Sequence, residues 1–262
     1  MDKTSLGDRM KGYERTELRL LTRRAPLILR LDGVHFHSFT KGFNRPFDIS
    51  FLTCMRNTML HLCENIMGAK LGYTQSDEIT ILITDDDTLE TDAWFGKNLQ
   101  KIVSVSAAMA TFYFNREVEK AVENDTASEG LRRAFDYGRQ AFFDARAFTI
   151  PREEVLNCFE WRQQDCTRNS IQSVGQAYFS HKELDHKSCN DIQNMLFTQK
   201  GINWSAYPLS LKRGVCAKQE PVLINRPTLI NESAYRMKWE LHENIPIFHE
   251  YPNYINDIVY HK

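Results

Sequence analysis

Two apolar runs, each joined to an aspartate, constrain this chain more than any other feature. Pro26-Leu27-Ile28-Leu29 leads into Arg30-Leu31-Asp32-Gly33, and Gln75-Ser76-Asp77-Glu78 leads into Ile79-Thr80-Ile81-Leu82-Ile83. The nearly continuous apolar character of Leu27-Ile28-Leu29-Arg30-Leu31 predicts a buried central strand. Residues 71–83 predict a hairpin with arms 71–75 and 79–83, turning at Ser76-Asp77-Glu78. Between these segments, Asp48 is a credible N-cap. Leu52, Met55, Met59, Leu62, Cys63 and Ile66 form the apolar stripe of a helix over 49–67, ended by Gly68.

The flanking segments complete a pattern. A charged helix is expected over 5–24, with Leu6, Met10, Tyr13, Leu18 and Leu21 as contacts, stopped by Pro26. Asp32 to Phe47 reads as an aromatic-rich loop and Thr84 to Asp92 as an acidic surface loop. A second helix is expected over 94–114, with Phe95, Leu99, Ile102, Ser106, Met109 and Tyr113 on one face, and a further strand over 141–148. The order β-α-β-β-α-β over 26–150 predicts an α+β fold, the ferredoxin-like arrangement at the core of polymerase and cyclase palms. Residues 1–150 form the expected palm-like core with its N-terminal helix. Residues 151–262 form a mostly helical region, irregular strand and loop after 200, packed on that core as one unit. In this layout Asp32 and Asp77 face each other, and a slip of one residue turns either to the wrong side of the sheet.

Composition narrows the function classes. The 262 residues carry 33 Lys and Arg against 34 Asp and Glu, a net charge of −1, so no overall positive field advertises nucleic acid. Local basic clusters, Arg9 to Arg24 and Lys212-Arg213 with Lys218, read first as solvated faces. The six cysteines include no C-x-x-C pair, and reduced thiols in the cytoplasm are expected. The first eight residues lack the apolar core of a signal peptide, and no run approaches about 20 apolar residues, so no membrane association is expected.

Paired carboxylates at the rim of a sheet suit magnesium-dependent phosphoryl transfer. The hard cation wants oxygen ligands, and like charges brought together repel unless a cation sits between them. Asp32-Gly33 and Ser76-Asp77-Glu78 are each ordinary turns taken singly; the combination is the signal. His35 and His37 read first as structural residues among aromatics, with phosphate or metal contact as the alternative. Lys41, Arg45 and Lys101 are candidates to clamp a triphosphate. No Walker-type loop and no G-x-G-x-x-G occurs.

Several blocks together resemble the tRNA-His guanylyltransferase superfamily of 3′–5′ nucleotide polymerases. They are Arg30-Leu31-Asp32-Gly33-x-x-Phe36-His37-x-Phe39, Pro46-Phe47-Asp48, Gly72-Tyr73-Thr74-Gln75-Ser76-Asp77-Glu78, Trp94-Phe95 with Lys101, and Trp161-Arg162-Gln163-x-Asp165-Cys166. The resemblance implies two magnesium ions held by Asp32, Asp77 and the Gly33 carbonyl, with Asp32 and Asp77 as the catalytic pair. It implies nucleotide contacts from Asp32, Gly33, Val34, His35, Phe36 and His37, with Arg45, Ser76, Asp77, Lys101 and Asn203. It also implies ATP, GTP and other nucleoside triphosphates as substrates, tRNA as partner, and a homotetramer.

Family enzymes that add one guanosine to tRNA-His carry His-Ile-Asn-Asn after this Asp-Cys; here Thr167-Arg168-Asn169-Ser170 follows. That departure looks like the bacterial and archaeal guanylyltransferase-like proteins, which repair truncated tRNA 5′ ends against a template. Arg162, Asp165, Arg168 and Asn169 are the candidate RNA contacts. Arg45 stands where eukaryotic members have lysine, so a planar fork replaces a point charge. Template-directed 5′-end repair is therefore the first expectation and single-guanosine addition the alternative. A palm-type nucleotide cyclase lacks its Gly-Gly-Asp-Glu-Phe block. A non-catalytic nucleotide- or RNA-binding palm has no need to keep a costly carboxylate pair.

Overall fold

Strand periodicity sorts the core onto two sides of one sheet. The computed structural model describes residues 5–224 and 234–260, so the reading of Met1 to Thr4 and of residues 225–233 lies outside the described residues. The elements run α1 (Ser5–Thr16), β1 (Leu27–Gly33), α2 (Phe36–Phe39), α3 (Ile49–Asn65), β2 (Ala69–Gln75), β3 (Glu78–Ile83), α4 (Leu99–Glu123) and α5 (Glu129–Asp136). They continue with β4 (Phe143–Thr149), α6 (Val155–Tyr178), α7 (His181–Leu184), α8 (Cys189–Lys200), α9 (Leu209–Arg213), β5 (Val215–Ile224), β6 (Ala234–His242) and α10 (Asn253–Tyr260). The sheet order is β4-β1-β3-β2-β5-β6, antiparallel throughout. Its first four strands, with α3 and α4, have the expected palm-type βαββαβ arrangement.

Odd-numbered residues of β1 and β3 (Leu27, Leu29, Leu31; Ile79, Ile81, Ile83) join α3 and α4 in the larger core. Even-numbered Ile28 and Leu82 join Phe159 of α6 and Ile255 of α10 in a second core on the opposite side. Gly72 lets β2 lie close on α3: a Cβ there would sit 2.6 Å from the Cys63 sulfur. Asp48 caps α3 as expected, accepting from the Phe51 N–H at 3.0 Å. The C-terminal strands are more regular than the expected irregular strand and loop, because β5 extends the sheet through β2, pairing Tyr73 with Cys216.

Three local expectations need correction. The first helix ends at Thr16 rather than 24, and Leu6, Met10, Tyr13 and Leu18 remain exposed. Residues beyond it are drawn out by backbone bonds instead, Leu21 N–H to the Lys97 carbonyl at 2.9 Å and Leu99 N–H to Arg19 at 3.0 Å. The helix expected over 94–114 begins at Leu99 and runs to Glu123. Its buried stripe is Ile102, Ser106, Ala110, Phe114 and Val118, a repeat of four that leaves Met109 and Tyr113 at its flank. The acidic loop is not wholly a surface feature either. Asp85 is buried between Lys97, 3.3 Å away, and Arg23, 2.7 Å away, and Lys97 is itself buried and donates to the Ala25 carbonyl at 3.0 Å. Asp86 is ion-paired with Arg152. No helix among the described residues is long and apolar enough to cross a membrane.

Burial pushes Asp85 up, but the Arg24 N–H, Arg23 and Lys97 outweigh it, and its pKa lies below the ordinary 3.8. The stability this lends is present above the unfolded value and disappears as pH falls through the lower folded value. Asp85→Asn, which strands Lys97, is expected to cost about 3 kcal/mol at neutral pH. Urea unfolding across a pH series should show that difference shrinking only below the ordinary aspartate range.

Candidate active site

Register brings the acidic residues to one end of the sheet. Asp32 stands opposite Glu78 on β3 and Asp144 on β4. One residue further, the Gly33 N–H donates to the Asp77 carbonyl at 3.1 Å, and the Val34 N–H to Phe142 at 2.8 Å. The end of β1 is thus fastened on both sides, and the hairpin turn that carries Asp77 is held beside Asp32. Ser76 enters that turn at φ 50°, a left-handed conformation that tight hairpins require. Gly33 has no room for a side chain, since a Cβ would lie 2.3 Å from the Phe36 ring. Phe36 is in turn locked against Phe39, Phe51, Phe114 and Phe143.

The electrostatics follow from this crowding. Burial raises the pKa of Asp77, and the charge of Asp32 raises it further, against its own backbone N–H and the Ser76 hydroxyl. Burial and Asp144 likewise raise Asp32, while Arg30, Arg146 and Arg162 pull it back. Glu78, raised mainly by burial, is held by Arg162 of α6 at 3.0 Å, with Arg30 at 3.9 Å. Arg162 also reaches Asp165 at 3.5 Å, and its guanidinium lies 3.4 Å from the centre of the Trp161 ring. The Glu78–Arg162 pair is a feature that sequence reading missed. Asp77 has no cation among the groups that shift it, and Asp32 and Asp77 with nearby backbone carbonyls offer the all-oxygen donors that magnesium would accept alongside substrate phosphates. Among the described residues no group of three or more His, Cys, Asp or Glu is gathered to hold a metal.

Beside Asp77 opens a cavity of about 370 Å³, within the range of small-molecule sites. Of the residues singled out in the sequence, Phe36, His37, Arg45, Ser76, Asp77 and Asn169 line it. Thr74 and Gln75 of β2 and Ser170 of α6, which the sequence motifs contain but to which no site role was given, also line it, as do Arg56 of α3 and Gln176 of α6, which were not anticipated. Arg56 and Gln176 carry no sequence signal beyond being polar positions one or two helical turns from recognised ones. His35, at φ 55°, precedes α2 with its ring 6.0 Å from that of His37, both exposed. Lys101 lies in the first turn of α4, where its N–H bonds to Asn98, and Asn203 caps the turn at 204–206 through the Ser205 N–H. Neither lines the cavity. Arg168 is ion-paired with Asp165 on α6, and Asn169 donates to the same carboxylate at 3.3 Å.

Comparison with known proteins bears on the family and the fold. A sequence model of the tRNAHis guanylyltransferase family matches residues 7–151. An uncharacterized protein of Acanthamoeba polyphaga mimivirus is 30% identical over 228 residues, 82% of this chain and 77% of that protein. The tRNA(His) guanylyltransferase of Debaryomyces hansenii is 27% identical over 207 residues, 74% of this chain and 73% of that enzyme. Among solved structures, a bacterial tRNA(His) guanylyltransferase-like protein in complex with ATP has a TM-score of 0.84 at 43% identity, covering 98% of this chain and 100% of its own. One in complex with GTP has a TM-score of 0.79 at 40% identity with the same coverage.

Gly33→Ala tests the packing that fixes the end of β1. Displacing Phe36 from its aromatic cluster is expected to cost about 1–3 kcal/mol. Gly12→Ala, whose Cβ meets nothing within 4 Å, should hold or slightly raise stability in the same denaturation assay.

Proposed function

The chain belongs to the tRNAHis guanylyltransferase family of nucleotidyltransferases, and from that premise we propose that it repairs truncated tRNA by template-directed 3′–5′ nucleotide addition. One observation carries this reading: Asp32 and Asp77 meet at the end of the sheet, beside a nucleotide-sized cavity that Asn169 and Ser170 of α6 help to line. In the first step an oxygen of the RNA 5′-phosphate attacks the α-phosphorus of ATP, the bond to pyrophosphate breaks, and an adenylylated 5′ end forms. In the second, the 3′-hydroxyl of an incoming nucleoside triphosphate attacks the former 5′-phosphate and AMP leaves. The RNA then ends in a new triphosphate.

The chain's own groups divide this work. Asp32, Asp77 and the Gly33 carbonyl would hold two magnesium ions, which supply charge neutralisation and a lower hydroxyl pKa when bound. The backbone from Asp32 through Val34 and His35 to His37, with the Ser76 hydroxyl, would cradle the triphosphate, and Arg45 at the cavity would meet its charge as a planar fork. Arg30 and Arg162 partly offset the rise that burial imposes on Asp32 and Glu78. Lys101 and Asn203 stand away from the cavity, so we assign them to a second nucleotide or to another subunit of a tetramer. The bacterial relatives in complex with ATP and with GTP support both nucleotides as substrates. Reduced thiols and a tRNA substrate fit a cytoplasmic setting.

The second reading, addition of one guanosine to tRNA-His, is favoured by the names of the fungal relatives. The segment that argues against it, Thr167 to Ser170, contributes Asn169 and Ser170 to the cavity wall, where it bears on what is bound. The two readings separate in one assay. A 5′-truncated, 5′-monophosphorylated tRNA with ATP, nucleoside triphosphates and magnesium should be extended by Watson–Crick-directed addition. Full-length tRNA-His should be a poorer substrate. Asp32→Ala and Asp77→Ala should each lower the rate at least about a thousandfold. Guanosine addition to tRNA-His alone would sink the repair reading, and full activity of Asp77→Ala would sink both.

A further inference from the structure

The helices that cover the second side of the sheet stop short of β4. That side's core takes residues from β1, β2, β3 and β5 together with α6 and α10, and none from β4. The even-numbered residues of β4, Asp144, Arg146 and Phe148, are accordingly exposed, while Ala145 and Ala147 pack on the larger core. Register sets Asp144 beside Asp32, Arg146 beside Arg30 and Phe148 beside Ile28. The result is an uncovered strip leading away from the carboxylates over four residues of strand, about 13 Å. Over its inner border leans Trp161. The residue is 52% exposed, with Arg162 at 3.4 Å and Arg30 at 5.8 Å from the ring centre.

A large exposed indole held this firmly is unusual, because an unanchored tryptophan at a surface gains more by burial. Here Arg162 is itself buried and tied to Glu78 and Asp165, so the ring is fixed by groups that cannot follow it into a core. Fixed aromatics alternating with guanidinium groups on an open sheet are the chemistry that binds unpaired nucleotides: bases stack on rings and cations meet phosphates. Resting on the functional reading above, we propose that this strip is a track for the unpaired acceptor strand of the RNA, with Trp161 as its base-stacking platform and Arg146 as a phosphate contact. The strip also lies on the far side of β1 and β3 from the cavity, which is lined by the end of β2. Nucleotide and RNA would thus approach the aspartate pair from opposite sides.

The test uses the full chain with 5′-truncated, 5′-monophosphorylated tRNA. Binding is followed by anisotropy, ATP binding by calorimetry, and tryptophan emission alongside. Trp161→Ala is expected to weaken tRNA binding by about tenfold or more and to abolish most of the emission change, while ATP affinity stays within about twofold. Trp161→Phe, which keeps a stacking ring, should recover most of the affinity. Arg146→Ala, an exposed substitution that does not threaten the fold, should weaken tRNA binding and flatten its salt dependence. Unchanged tRNA affinity in both Trp161→Ala and Arg146→Ala overturns the track. So does a change in sedimentation caused by Trp161→Ala without RNA, which would mark the strip as a contact between protein chains. Extension by the wild type is scored separately. If it extends truncated tRNA and the variants bind normally, the track fails alone; if the wild type binds tRNA through Trp161 but extends nothing, the repair reading fails alone.

Discussion

The backbone hydrogen bond from Gly33 to the Asp77 carbonyl carries the β1–β3 ladder one step past its last strand pair and into the hairpin turn. Everything at the carboxylate end of the sheet depends on that extra step. It requires a residue at 33 with no side chain, because the Phe36 ring fills the space a Cβ would take. It requires a turn short enough that Asp77 still lies within reach of β1, which Ser76 permits by its left-handed backbone. Strand periodicity then decides the rest. With this register Asp32 and Glu78 share a side of the sheet, and a shift of one residue sends both into the apolar core under α3.

Bringing acids together under a helix carries an electrostatic cost that the fold offsets in two places. Arg162 answers Glu78 at the active end, and Lys97 with Arg23 answers Asp85 near the opposite end of β3. Arg162 and Arg23 come from segments far away in sequence, so these pairs also fix how distant pieces meet. Buried pairs of this kind add little net stability over an apolar substitute, but losing one partner is severe, which makes them effective at excluding other arrangements. Asp77 differs from these pairs: burial and the charge of Asp32 raise its pKa, and it is its own backbone N–H and the Ser76 hydroxyl, not a cation, that pull it back.

The aspartate pair and the βαββαβ order were legible in the sequence because both rest on local signals: apolar runs, a cap at Asp48, and a turn between two arms. The first helix was overextended because the charged residues 17–24 suit a helix by propensity. Tertiary bonds to Lys97 and Asp85 override that preference. Asp85 looked like a loop carboxylate since nothing nearby in sequence announces Lys97 as its partner. The same holds for Glu78, whose partner lies 84 residues away, and for Arg56 and Gln176, which reach the cavity only once α3 and α6 are packed. Long-range pairing of charges leaves no periodicity to read.

The partnership of Glu78 with a helix so far along the chain has a consequence for the timing of synthesis. When the ribosome has released β1 to β4, both aspartates and the loop after them already exist, yet the even-numbered side of the sheet is still in water. The cavity lacks the wall supplied by α6, and Arg162 is not there to answer Glu78. A nascent chain therefore holds the reacting end of the enzyme in an unassembled form. The cavity wall is completed late, after α6 and the segment from Ser210 to Val215 have closed on the sheet.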